Sequence, residues 1–403
     1  MNDFNLMKTV SLLIAAICYL ILGASPSYPN EDCIDSLPED SFSFGYTLAA
    51  QGGYLVVGDP HANHVIIYTC NRDDKWLRTR KILPPKNSTA YKVGSGFGHT
   101  IALDGDTLII GTLTVIQPEH NEEVNSTDFQ EDNGFFSTST VLYQTRLDQE
   151  TKVKRIDLPD IPTKGAISNN MVVAEQGKIG FIFSQKQPGK RINQVYLLSD
   201  GKVHELPSSE LTYRYPSDSS GFGVYGTNIA LKNDLLVVSI DRDQDSGGVW
   251  LFDLNSQQNK PQKIALPLVA PAQVSVAISE RFIAISNSSL SSSRYVPNLF
   301  DTTLIRNIAT GATKIISGAG VSLDGNILAR MRSIPDSRQE YKSVNEIPGI
   351  LEVFKLEDDA TPRLIQKQRD IKRGFVKNGL LITEKETASG RRICTKKIHE
   401  AVN

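Results

Sequence analysis

One plan recurs along this chain and limits what it can fold into. Its clearest copy covers residues 221–253: a Phe222-Gly223 opening, a β-prone run, an Asn233-Asp234 turn, an apolar run at 235–238, an acidic Gly-containing loop and a last run at 249–252. Apolar runs of about four to six residues, rich in Val, Ile, Leu, Phe and Tyr and bounded by Gly, Asn and Asp, are too short for stable helices and read as strands. Side chains alternate across a strand, so Leu235 and Val237 face one way and Leu236 and Val238 the other; the sheet must be covered on both sides. Asn and Asp tolerate positive φ, so Asn233-Asp234 predicts a tight antiparallel hairpin.

Two more copies carry every piece in order. One runs from Phe44-Gly45 to Gly58-Asp59-Pro60 with a third strand at 65–68; the other runs from Phe97-Gly98 to Gly111 with its third strand delayed to 141–143. Weaker copies centre on 171–173 with 195–198, on 282–285, on 327–329 with 351–354, and on 380–382 with 392–395. A spacing of about 40 to 50 residues is that of four-stranded propeller blades. The expected fold is therefore all-β, a seven-bladed β-propeller of four-stranded antiparallel blades at about 44–90, 91–160, 161–215, 216–265, 266–315, 316–365 and 366–403. The third repeat should be the least regular. It has no Phe-Gly start and two candidate second strands, 171–173 and 179–183, which leaves its register weakly specified.

The Phe-Gly opening, the short turn and the Gly58-Asp59-Pro60 ending resemble FG-GAP repeats, the blades of the integrin α-subunit propeller and of many secreted bacterial propellers. The likeness is good at 44–70, 97–143 and 222–253 and is a hydrophobic echo in the other four copies. Ser239-Ile240 and Thr112-Leu113 stand where the family has Ala-Pro. Some integrin repeats hold calcium between the first two strands; only a short turn occupies that position here, so this binding is not carried over. The resemblance implies a binding or adhesion module that presents loops of its blades on one face.

Lys8, an apolar run at 10–22 and the small residues Gly23-Ala24-Ser25-Pro26-Ser27 mark residues 1–27 as a signal peptide, with a retained anchor as the alternative. The expected location is secreted or periplasmic, with no stable membrane insertion after cleavage. Three cysteines follow the leader. Cys33 precedes the first blade and Cys394 lies on the third strand of the last, neighbours in a closed ring; Cys33 with Cys70, inside one blade, is the competing pair. A 40% hydrophobic, 22% charged chain with 29 Gly and 19 Pro is globular and turn-rich, and its net charge of -2 gives no general pull toward nucleic acid. Sequons stand at Asn87, Asn125 and Asn287.

Residues 112–139 form an acidic insertion without Lys or Arg. Glu119, Glu122, Glu123, Asp128, Asp132, Phe135 and Phe136 are its candidate binding residues for a protein or glycan partner, because unpaired carboxylates stay in solvent or meet a cation or basic surface; a solvated loop is the alternative. The last repeat, 361–403, is basic, which reads either as an anion surface or as a solvated face. Asp241, Asp243 and Asp245, followed by Gly247, have the spacing that opens a calcium loop but lack the distal glutamate; a solvated turn between strands, in which Asp and Gly do turn chemistry, is the favoured reading. His61 and His64 fall in a turn, where no third metal ligand is indicated, and are expected to be two exposed loop histidines rather than a metal pair.

There is no Gly-X-Ser-X-Gly elbow, phosphate loop or dinucleotide fingerprint, so the expectation is a binding module and not an enzyme. A propeller hydrolase or lyase working at the mouth of the central channel is the rival, and convergence of Asp59, His61, His99 or Asp241 in one pocket distinguishes it. A structural extracellular component is the third reading.

Overall fold

The computed structural model describes residues 32–35, 44–73, 75–86, 96–116, 137–149, 152–158, 172–187, 190–207, 229–243, 246–256, 260–266, 272–289, 302–333, 349–371, 373–387 and 390–398. Residues 1–27, expected above to be a leader, and Asn87 and Asn125 lie outside them. Strand β1 (Asp32–Asp35) precedes the first blade. Blade one is β2 (Thr47–Gln51), β3 (Tyr54–Asp59), β4 (His64–Cys70) and β5 (Trp76–Ile82); blade two is β6 (Thr100–Asp104), β7 (Thr107–Ile116), β8 (Ser137–Arg146) and β9 (Lys154–Arg155). Blade three is β10 (Val172–Glu175), β11 (Lys178–Gln187), β12 (Lys190–Ser199) and β13 (Lys202–Leu206); blade four is β14 (Ile229–Lys232), β15 (Leu235–Asp243), β16 (Ser246–Asp253) and β17 (Gln262–Ile264). Blade five is β18 (Ala272–Ile278), β19 (Phe282–Ser289), β20 (Thr302–Asn307) and β21 (Thr313–Ser317); blade six is β22 (Ala319–Asp324), β23 (Ile327–Ser333), β24 (Gly349–Leu356) and β25 (Pro362–Ile371). Strands β26 (Arg373–Lys377), β27 (Leu380–Thr387) and β28 (Gly390–Lys397) begin blade seven. The result is the expected seven-bladed all-β propeller, and among the described residues there is no helix.

Each blade is a four-stranded antiparallel meander, and only the bridge Arg242↔Ala272 links blades four and five into a continuous sheet. The hairpins use the chemistry anticipated at Asn233-Asp234: φ is 46° and 62° there, and Gln176-Gly177 and Asn378-Gly379 likewise place both central residues at positive φ. Both sheet faces are apolar, as Leu55, Val56 and Val57 in succession are fully buried. The core is thus a circle of interfaces between neighbouring blades. One cluster joins blades one and two through Val56, Phe97 and Ile110, and another joins seven and one through Ile393, Phe44 and Leu55.

Ring closure uses the chain's beginning. β1 pairs with β28 in the register Asp32↔Thr395 to Asp35↔Arg392, which makes it the outer, fourth strand of blade seven. Cys33 sits opposite Cys394 and the two are disulfide-bonded, which selects the ring-closing pair over Cys33 with Cys70; Cys70 is half-buried and lies outside the disulfide. Trp76 of blade one binds both closing strands, through N–H to Asp32 Oδ2 (2.7 Å) and through Nε1 to Thr395 Oγ1 (2.6 Å).

Between blades, the last residue of an inner strand accepts from the turn of the next blade. Asp104 takes the N–H of Gln176 (2.8 Å) and of Gly177 (2.5 Å), Glu175 takes that of Asn233 (2.8 Å), and Asp324 takes that of Gly379 (2.6 Å). At the other end of the blades the Phe-Gly turns pack into the preceding blade. Phe44 and Phe97 are fully buried, and Gly45 and Gly98 hold φ of 78° and 90°, values that glycine adopts without strain. Thr47 Oγ1 donates to Gly98 O at 2.7 Å across the interface of blades one and two.

Three local expectations are corrected. Blade three is regular: β10 to β13 pair without a shift in register, and 179–183 belongs to the second strand while 172–173 belongs to the first. The acidic insertion is shorter than 112–139, because β7 and β8 stay paired as far as Ile116↔Ser137. Asn287 lies within β19 at 4% exposure, so its sequon is closed to modification in the folded chain.

Candidate active site

Strands alternate in direction, so the start of each inner strand and the turn between the second and third strands emerge on one face of the ring. Tyr46 stands just before β2 and His99 just before β6, at the same position after their Phe-Gly pairs. His61 lies in the turn between β3 and β4, and Arg373 is the first residue of β26. These four residues, from blades one, two and seven, come together on that face.

The turn 60–63 explains the spacing of its two histidines. His64 is buried at the start of β4, with Nδ1 3.1 Å from Ala62 O and Nε2 3.8 Å from Asp59 Oδ2. Asp59 is also buried and accepts from Ala62 N–H at 3.4 Å, so Asp59 and His64 shape the turn from beneath. Asn63, at φ 58°, turns Oδ1 to the N–H of Phe97 (3.0 Å) and fixes blade two's opening. His61 is left exposed at the tip, close enough for its charge to act on His99. The expectation of two exposed loop histidines is therefore right for His61 and wrong for His64.

His99 and Tyr46 pack ring to ring, with centroids 5.2 Å apart and planes tilted by 44°. Burial, reinforced by the neighbouring charge of His61, pushes the His99 pKa down to about 4. Its Nδ1 is buried and has no hydrogen-bond partner among the described residues. Burial raises the Tyr46 pKa, opposed by the Arg373 charge. At neutral pH the pair is a neutral imidazole with a free ring nitrogen beside a neutral phenol, one group able to take a proton and one able to give it.

Arg373 is anchored on both sides. It donates Nη1 to Tyr46 O (2.9 Å), Nη2 to Gly45 O and Nε to Glu384 Oε2 (2.8 Å). Arg391 Nη1 lies 3.3 Å from Glu384 Oε1 and 3.3 Å from Phe44 O. The basic last repeat therefore spends part of its charge on closing the ring, as does Arg392 with Asp35 (2.5 Å).

The other candidates lie elsewhere. Glu119, Glu122, Glu123, Asp128, Asp132, Phe135 and Phe136 fall outside the described residues, as does Asp245. Asp241 and Asp243 are strand residues of β15, with Asp243 opposite Ser246, so neither lies in the acidic loop expected at 241–247. Among the described residues no group of three or more His, Cys, Asp or Glu side chains is arranged to hold a metal. Tyr46, Arg373 and Glu384 were not singled out from sequence. The available signal was positional: aligning the repeats on Phe-Gly puts Tyr46 and His99 in the same place.

Neither a family model nor a curated protein matches the chain, so FG-GAP membership is not established. Among solved structures, the polysaccharide lyase Uly1 aligns over 93% of this chain and 95% of its own, with 9% identity and a TM-score of 0.50. A prolyl endopeptidase aligns at 13% identity and TM-score 0.45 over 75% of this chain, which spans 40% of that protein. The propeller domain of the trilobed protease from Pyrococcus furiosus aligns at 11% identity and TM-score 0.40, covering 75% of this chain and 84% of that one. Likeness at this level is likeness of fold. The expectation that the chain is not an enzyme is nevertheless corrected: a polysaccharide lyase shares the fold over 93% of this chain, and the absence of a short catalytic motif leaves out of account a buried His99 ring nitrogen without a hydrogen-bond partner, packed on a tyrosine.

Proposed function

We propose that this chain is an exported propeller hydrolase or lyase whose centre is the Tyr46–His99 pair on the face shared by blades one, two and seven. The observation that carries the reading is His99 itself: a buried ring nitrogen without a partner, held in the neutral form, against a phenol that also stays neutral. Hydrolysis and elimination both need a group that removes a proton and a group that delivers one. A neutral imidazole and a phenol 5.2 Å apart by ring centroids supply that pair, and His61 at the rim lies beside them. The Phe44-Gly45 and Phe97-Gly98 turns that present the two residues support repeats of the FG-GAP kind, with the residue after glycine put to chemical use in the first two blades.

Polysaccharides are the first substrate class to screen, since a lyase of that class shares the fold over 93% of this chain. Turnover is read by new reducing ends and by the ultraviolet absorbance of an unsaturated product, which separates hydrolysis from elimination. His99→Gln and Tyr46→Phe should each lower kcat by about a hundredfold or more while leaving the melting temperature near wild type. Undiminished turnover in both variants refutes the assignment.

A further inference from the structure

The turn that presents Tyr46 is held from blade seven by two arginines that share one carboxylate. Successive carbonyls of Phe44, Gly45 and Tyr46 all accept guanidinium N–H groups, the first from Arg391 and the next two from Arg373. Both guanidinium groups rest on Glu384, which is 2% exposed and sits on β27 opposite Arg373.

The neighbouring interface shows that such a turn can be held without charge. In blade one the first residue of the inner strand is Thr47, whose hydroxyl reaches Gly98 O of the next blade's Phe-Gly turn. In blade seven the first residue of the inner strand is Arg373, and its Nη2 reaches Gly45 O, the same acceptor one blade on. A hydroxyl suffices at one interface; a guanidinium stands at the other. Arg373 keeps part of its side chain in solvent, whereas the carboxylate it rests on is buried; a buried charge is costly unless it is paired, and Arg373 and Arg391 together pair Glu384.

We infer that Glu384 is a positioning residue: through Arg373 and Arg391 it fixes the Phe44-Gly45-Tyr46 turn and sets the charge beside the phenol at the Tyr46–His99 pair. The inference rests on the function proposed above for its purpose, though its geometry is tested without a substrate. Glu384→Gln keeps the shape of the side chain and removes its charge. The measurement is alkaline titration of Tyr46, taken as the difference in phenolate absorbance between each protein and its Tyr46→Phe counterpart.

With the counter-charge gone, the arginine charges act uncompensated on the phenol, and Tyr46 should ionise about one unit lower than in the wild type. Glu384→Asp, which restores the charge, should bring the titration back toward wild type. Arg373→Lys keeps a charge but loses the fork, and amide exchange at Gly45 and Tyr46 should quicken about tenfold or more. Loss of thermal stability in Glu384→Gln with Tyr46 titrating as in wild type makes Glu384 structural only and overturns the inference. Should that variant not fold, Arg391→Lys loosens one arm alone, and an unchanged titration and unchanged exchange there overturn it as well. If instead these readouts move while His99→Gln leaves turnover intact, the positioning stands and the proposed chemistry falls.

Discussion

Gly58→Ala tests whether blades one and two meet backbone to backbone. A Cβ at position 58 would stand 2.2 Å from Thr47 Oγ1 and 2.5 Å from Gly98 O, with Ile101 Cδ1 at 3.0 Å. Gly58 is not among the residues at positive φ, so the added methyl strains no dihedral and the effect is steric. Relief requires Thr47 and the Gly98 carbonyl to draw back by more than about half an ångström, in an interior packed as densely as a crystal. That movement breaks the buried bond from Thr47 Oγ1 to Gly98 O. Overpacking of this kind costs about 1–3 kcal/mol and a buried acceptor left unpaired about 1–3 kcal/mol. Loss of glycine's freedom in the unfolded chain returns about 0.5–1 kcal/mol, which leaves a net destabilisation of about 1–5.5 kcal/mol, about 3 kcal/mol at mid-range. Urea unfolding should show a lower midpoint at an unchanged m value. Gly53→Ala is the control: φ is 81° there but nothing lies within 4 Å of its Cβ, so only backbone strain of about 1 kcal/mol is expected. Adding Thr47→Ala to Gly58→Ala removes the Oγ1 clash but not the carbonyl one, and should recover part of the loss. A Gly58→Ala protein within about 0.5 kcal/mol of wild type, or no weaker than Gly53→Ala, refutes the reasoning.

Breaking the Cys33–Cys394 bond, across a separation of 361 residues, should lower stability by up to about 6 kcal/mol on chain entropy alone; a Cys33→Ser protein that melts with wild type shows that the strand pairing closes the ring unaided. For His99, whose pKa falls from 6.5 to about 4 on folding, the unfolded chain takes up the proton first as the pH drops. Its share of stability, about 3 kcal/mol, is complete above pH 6.5 and lost progressively down to about pH 4, so His99→Gln should flatten the stability curve across that window and nowhere else.

The frame of the fold was legible because the second strand of each blade is buried on both faces. Runs such as 235–238, 282–285 and 380–382 have no polar residue to mark a wet face, and all three lie in second strands. Blade three defeated the same reading because two apolar runs flank Gln176-Gly177; that turn, seated on Asp104 of the previous blade, decides which run is which. Such a contact between blades leaves no trace in a local pattern. The site was hidden for a related reason. Arg373 lies 327 residues from Tyr46 in sequence, and only ring closure brings them together, so a search for catalytic residues at short spacing passes over both. His61-Ala62-Asn63-His64 was visible as a motif, but its division of labour depends on Asp59 beneath it and Phe97 beside it.

Because β1 is the outer strand of blade seven, an early-made strand waits for a partner made much later. At about 5–20 residues per second, the 361 positions between Cys33 and Cys394 take roughly 20–70 s to make. Throughout that interval Asp32–Asp35 is a strand without a sheet, and its length of four residues limits what it can recruit in the meantime. The seal also acts as a check on completeness. A chain that stops before β28 can build six blades but has no partner for β1, and it lacks the Cys394 to which Cys33 is joined, so the ring-closing bond tells a finished molecule from an unfinished one.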